Sequence, residues 1–123
     1  MPSIAIIGAS TDRTKVGNKA VRVYKDKGYQ VYPIHPKATE IEGQKAYRSV
    51  LDVPEKHLDL VSFYLPPEIG LKVIEEVAKK GAKEVWLNPG SESDALIEKA
   101  EKLGLCVIAT CSIVGIGASP AEY

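Results

Sequence analysis

Five short stretches of the chain, residues 4–7, 31–34, 60–65, 85–87 and 106–109, are apolar almost without interruption. A strand with one wet face alternates apolar and polar residues. Strands without that alternation are covered on both faces, as in a parallel sheet sandwiched by helices. Helical patterns separate these runs. Ile69, Val73, Ile74 and Val77 keep helical spacing behind Pro66-Pro67, and proline suits a first helical turn. Leu96, Ile97, Ala100 and Leu103 repeat the spacing behind Ser91, with Asp94 three residues later as a capping-box-like start. A first helix over residues 16–27 presents Val16, Ala20, Val23 and Tyr24. Each helix ends at a glycine, Gly28, Gly81 or Gly104, and an apolar strand follows within a few residues. Glycine there takes the left-handed cap conformation without a Cβ clash.

Strands and helices alternating at this spacing predict βαβ units and one doubly wound, mainly parallel α/β sheet of Rossmann type, with helices on both faces. One stretch breaks the pattern, since no helix is legible between Ile34 and Asp59. Residues 46–48 read as a small edge strand there, for a strand order of about 3-2-1-4-5-6. At 123 residues the chain is expected to form one domain, residues 1–123.

Lys+Arg and Asp+Glu both number 16, so the formal net charge is zero. That balance argues against a general nucleic-acid or membrane-surface binder, while leaving room for a basic cluster around an anionic small molecule. No apolar stretch approaches the roughly 18 residues of a membrane span. The opening Met1-Pro2-Ser3 has no basic leader, so a cytoplasmic protein is expected. Cys106 and Cys111 are too few for a disulfide framework or a zinc site.

In an open α/β sheet, ligands bind beyond the carboxyl ends of the strands, where the strand order reverses. The loop after the first strand, Gly8-Ala9-Ser10-Thr11-Asp12-Arg13-Thr14-Lys15-Val16-Gly17, resembles a phosphate loop: glycine directly after a strand, small residues, then a helix N-terminus. It is not the G-x-G-x-x-G dinucleotide fingerprint, because Ser10 and Arg13 stand at the second and third glycine positions. After the second strand comes His35-Pro36-Lys37 and no acidic residue for a free ribose. With Arg13 and Lys15 expected across the crevice, the loops fit a ligand carrying an extra phosphate. Taken singly, these charges are also ordinary surface residues.

The segments Ile4-Ala-Ile-Ile-Gly-Ala-Ser10, Gly28-Tyr-Gln-Val-Tyr-Pro-Ile-His-Pro36, Glu42-Gly43, Val53-Pro54, Gly81-Ala-Lys-Glu-Val-Trp-Leu87 and Gly104-Leu-Cys-Val107 together resemble the coenzyme A-binding domain family of small bacterial and archaeal proteins. The same fold forms the N-terminal domain of the succinyl-CoA synthetase alpha subunit. The resemblance spans nearly the whole chain and implies coenzyme A or an acyl-CoA as ligand. It implies that Tyr64-Leu65-Pro66 lies against the adenine end, that Gly8 to Thr11 holds the diphosphate, and that Pro36-Lys37 faces the ribose phosphate. It also implies that Leu87-Asn88-Pro89-Gly90 lines the pantetheine path. Small family members commonly carry arginine where this chain has Leu65, and an Asp-Arg pair where it has Ala109-Thr110.

No triad assembles around His35 or His57, which lack a nucleophile with an orienting carboxylate. Cys106 reads as a small core residue, Trp86 as core, and Cys111 as structural. The apolar, glycine-rich tail over residues 113–120 has three readings: a cover for the sheet edge, a cover for the ligand, or a contact with a partner chain. The expected function is coenzyme A or acyl-CoA binding without catalysis, alone, as a homodimer, or beside an acyl-CoA enzyme. The alternatives are a small NAD(P)-dependent reductase-like protein and a stand-alone subunit of an acyl-CoA ligase.

Overall fold

The computed structural model describes residues 2–123. Five parallel strands form the main sheet: β1 (Ser3–Ile7), β2 (Gln30–Ile34), β5 (Leu58–Phe63), β6 (Ala82–Leu87) and β7 (Val107–Ile108), in the order β2-β1-β5-β6-β7. Helices α1 (Val16–Asp26), α2 (Pro67–Lys80), α3 (Asp94–Lys102) and α4 (Ser112–Gly115) complete the Rossmann-like α/β arrangement. Every residue of β1 is buried, and its neighbours point to opposite faces. Ala5 and Ile7 join Val61, Phe63, Ile74, Val77 and Leu96 under α2 and α3, while Ile4 and Ile6 join Ala20, Val23, Tyr24 and Ile113 under α1 and α4. Two separate cores, one on each face, are why these strands show no polar alternation.

The predicted edge strand at 46–48 is smaller than expected. It reduces to a single parallel bridge between Ile34 and Tyr47, because the chain leaves directly for a 3-10 turn at Val50–Asp52. Ahead of it lies an antiparallel pair, β3 (Glu40–Ile41) with β4 (Gln44–Lys45), whose two-residue strands are too short for any periodicity to announce them. The strand after residue 58 also stops at Phe63, so Tyr64 and Leu65 belong to the exit loop.

Three further expectations are corrected. Ser93 rather than Ser91 caps α3, its hydroxyl accepting the Leu96 N–H at 3.1 Å, while the Ser91 N–H closes a turn onto the Asn88 carbonyl. Cys106 is exposed, because β7 is the outer edge of the sheet. Trp86 is only half-buried and lies over Gly115, where an added Cβ would meet its ring at 2.6 Å. The tail therefore packs on the sheet through α4, with Ile113 fully buried.

Removing the Ser93 cap leaves an N–H at the start of α3 without its acceptor. Ser93→Ala is expected to lower stability by about 1 kcal/mol. Ser91→Ala, whose hydroxyl makes no hydrogen bond among the described residues, should cost less in the same urea titration.

Candidate nucleotide-binding site

The turn out of β1 is built on two glycines. Gly8 has φ +90°, and a Cβ there would come within 2.8 Å of the Tyr64 carbonyl oxygen. A Cβ on Gly17 would meet the Gly8 carbonyl oxygen at 2.5 Å. Only glycine lets the first turn of α1 approach the β1 exit this closely. Gly17 thus supplies the close helix–sheet packing for which the sequence pattern offered Arg13.

The N-terminus of α1 is open. It has no side-chain cap and no acidic residue in its first turn, whereas α3 has both. Ahead of it, Asp12 folds the loop on itself, taking the Thr14 N–H at 2.9 Å and the Thr14 hydroxyl at 2.7 Å. These bonds hold the Asp12 carboxyl below the usual carboxylate range. Ser10 takes part too, its hydroxyl accepting the Asp12 N–H, while Asn18 Nδ2 holds the Ser10 carbonyl at 2.9 Å. Gly8, Ala9, Ser10 and Thr11 thus lie between the end of β1 and the start of α1 at Val16.

Beside this turn, a cavity of about 320 Å³ opens between the ends of β1 and β2 and the side of α2. Gly8, His35, Pro36 and Leu65 stand in its wall, so three of the loops expected to form the site do meet here. Ile7 and Ile34 complete the strand ends, and six further wall residues were not anticipated: Ile69, Val73 and Glu76 from α2, and Arg48, Ser49 and Val50 leading into the 3-10 turn. The helical stripe read as core splits in two. Ile74 and Val77 are buried, while Ile69, at 48% exposure, faces the opening with Val73. The signal was available, since an acid at position 76 continues the Ile69–Val73 stripe one turn on.

His35 Nδ1 accepts the backbone N–H groups of Lys37 at 3.0 Å and Ala38 at 2.8 Å, which leaves Nε2 to carry the ring proton. His35 thereby fixes the loop that carries Pro36 and Lys37. The expectation for Arg13 changes. Its guanidinium lies 3.9 Å from Glu42 and lines a depression with Arg22, Lys25 and Tyr123, and it is not in the wall of the cavity beside Gly8. Glu42, on the β3–β4 turn, draws it there. Lys15 is exposed at the start of α1, and Arg48 supplies the cation in the cavity wall.

The exits of β5 and β6 are joined by a buried polar network. Asn88 Nδ2 donates to Ser62 Oγ at 2.8 Å and to the Phe63 carbonyl at 2.7 Å, and its Oδ1 accepts the Ser112 N–H at 2.8 Å. Ser112 Oγ lies 2.8 Å from Ser62 Oγ and 3.0 Å from the Tyr64 hydroxyl. Tyr24 donates to the Ser112 carbonyl at 2.7 Å. The Asn88 side chain is wholly committed to this scaffold, and of that loop Pro89 and Gly90 are exposed. Pro66 is exposed at the mouth of α2. Among the described residues no group of three or more His, Cys, Asp and Glu side chains is placed to hold a metal ion.

Residues 2–116 match the family described as CoA binding domain. The chain belongs to that family. It is 32% identical over 98% of its length to the alpha subunit of acetate–CoA ligase (ADP-forming) I of Pyrococcus furiosus, and spans 29% of that subunit. A conserved hypothetical protein of Pyrococcus furiosus superposes with a TM-score of 0.84 at 36% identity, covering 94% of this chain and 99% of that one. Acetyl-coenzyme A synthetase 1 of Candidatus Korarchaeum cryptofilum, solved with phosphate and ADP, superposes with a TM-score of 0.77 at 33% identity over 88% of this chain and 25% of its own. Similar chains thus lie both within long ligases and in a protein that this chain covers almost entirely. Among the described residues no helix is long and apolar enough to cross a membrane.

The buried network has a pH signature. Burial pushes the Tyr24 and Tyr64 hydroxyls above the usual tyrosine range, and burial followed by the Glu55 hydrogen bond pushes Tyr32 up to about 12. The folded state then keeps protons that the unfolded chain releases near pH 10, so stability is full below that value and falls as pH rises beyond it. Tyr24→Phe should reduce the difference in unfolding free energy between pH 8 and pH 11. An unchanged difference in urea titrations would place the alkaline sensitivity elsewhere.

Proposed function

We propose that this chain binds coenzyme A and performs no chemistry on it alone. The carrying observation is the apolar cavity at the strand exits, opening beside a helix N-terminus that lacks both cap and acid. Adenine needs flat apolar contact, and Leu65, Ile69, Val73 and Pro36 offer it. A diphosphate needs backbone N–H groups and the positive end of a helix dipole, available from Gly8 to Thr11 and Val16. Lys37, Lys15 and Arg48 provide cations for the ribose phosphate, with Arg48 replacing the part first given to Arg13. The pantetheine arm then leaves past Tyr64, Pro66, Pro89 and Gly90, over loops that Asn88 holds in place. No paired carboxylate or activated nucleophile lines the cavity among the described residues, so the chemistry would come from another protein.

A second reading has its own support. Because the same domain makes up 29% of an acetate–CoA ligase alpha subunit, this chain would also serve as a detached module presenting coenzyme A to an acyl-CoA enzyme.

The test is calorimetry with coenzyme A and its relatives. Dephospho-coenzyme A lacks the ribose phosphate, and losing its charge-assisted hydrogen bonds should weaken binding by roughly tenfold to a hundredfold. Lys37→Ala should weaken coenzyme A more than dephospho-coenzyme A and bring the two together, as should added salt. Tighter binding of NAD or NADP than of coenzyme A would replace this proposal with the reductase reading.

A further inference from the structure

A polar pair, Ser49 and Glu76, stands in the largely apolar wall of the cavity. Ser49 Oγ donates to Glu76 Oε1 and accepts the Leu51 N–H at 3.1 Å, so its single proton is spent inside the protein. The other carboxylate oxygen, Oε2, has no partner among the described residues. This is unusual for its surroundings. Lys72, Lys79 and Lys80 all stand within a helical turn of Glu76, yet none pairs with it, and the Lys80 ammonium caps the Val53 carbonyl instead. Arg48 lines the same cavity and is not paired with it either. Glu76 is thus aimed by Ser49, half-buried, and left with an acceptor at the far end of the stripe formed by Ile69 and Val73.

An ionised carboxylate only accepts hydrogen bonds. Beside the edge of a bound purine formed by position 6 and N7, it favours an amine at position 6 and opposes a carbonyl there, since only acceptors would then face it. We propose that Glu76, oriented by Ser49, selects the base of the ligand by accepting from the exocyclic amine of adenine, and so rejects the corresponding 6-oxo purine. The inference rests on the coenzyme A reading and adds to it the residue that chooses the base. Ser49 is a positioning residue in this arrangement and acts through Glu76.

The experiment compares coenzyme A with its hypoxanthine analogue, in which the 6-amine is replaced by a carbonyl and N1 gains a proton, by calorimetry on the wild-type chain and on Glu76→Gln. A charge-assisted hydrogen bond replaced by facing acceptors predicts a preference for coenzyme A of about tenfold or more in the wild type. Glutamine can turn either its oxygen or its amine toward the base, so Glu76→Gln should bring the ratio close to one while still binding coenzyme A. The wild-type ratio stands even if the variant folds poorly. A wild-type ratio near one, or an undiminished ratio in Glu76→Gln, overturns the assignment of Glu76 and leaves coenzyme A binding intact. Failure of the wild type to bind either compound overturns both.

Discussion

The Asn88 side chain holds the candidate site together from behind. A parallel sheet covered on both faces brings its strand ends to one edge, where buried backbone groups without partners are costly. Asn88 answers several at once, taking the Ser112 N–H and giving its own protons to Phe63 and Ser62. Leaving such groups buried and unpaired costs about 1–3 kcal/mol each, more than any one of these bonds contributes in net terms. Because the network includes Tyr64, it also sets where the exit of β5 points, and therefore where Leu65 stands in the cavity wall. The site is thus an indirect product of satisfied polar groups two strands away.

From the opposite side the constraint is steric. Gly8 and Gly17 are in near contact, so the N-terminus of α1 is pressed onto the end of β1. That contact leaves the helix start open beside the cavity, with Asp12 turned toward Thr14 and away from a capping role. An acid in the first turn of α1 would satisfy the dipole internally and compete with a phosphate. This chain has none there.

Much of this was legible in the residues. Unalternating strands, helix spacing and the closing glycines specify the parallel sheet, because those patterns follow from burial on two faces. The β3–β4 pair was not legible, since two-residue strands have no period. Ser93 could not be told from Ser91 as the cap, because both precede the same apolar stripe and only the turn onto Asn88 separates them. The ion pair of Arg13 was not legible for a different reason. Its partner, Glu42, is distant in sequence and reaches it only through the fold. Arg48 and Glu76 escaped notice because one lies in a stretch without periodicity and the other resembles any helical surface acid.

The division of labour is consistent across these elements: glycines shape the turn after β1, α2 supplies apolar area to the cavity, and Arg48 and Glu76 add charge to its wall. The most direct check of the central claim is a titration of isotope-labelled protein with coenzyme A, followed through backbone amide shifts. The account predicts changes concentrated at Gly8, Ala9, Ser10, His35, Lys37, Leu65 and Glu76, with β7 and the opposite end of the sheet at Tyr29 and Asp59 unmoved. Changes centred on Tyr29, Asp59 and Lys83, which line a separate depression at that far end, would contradict it.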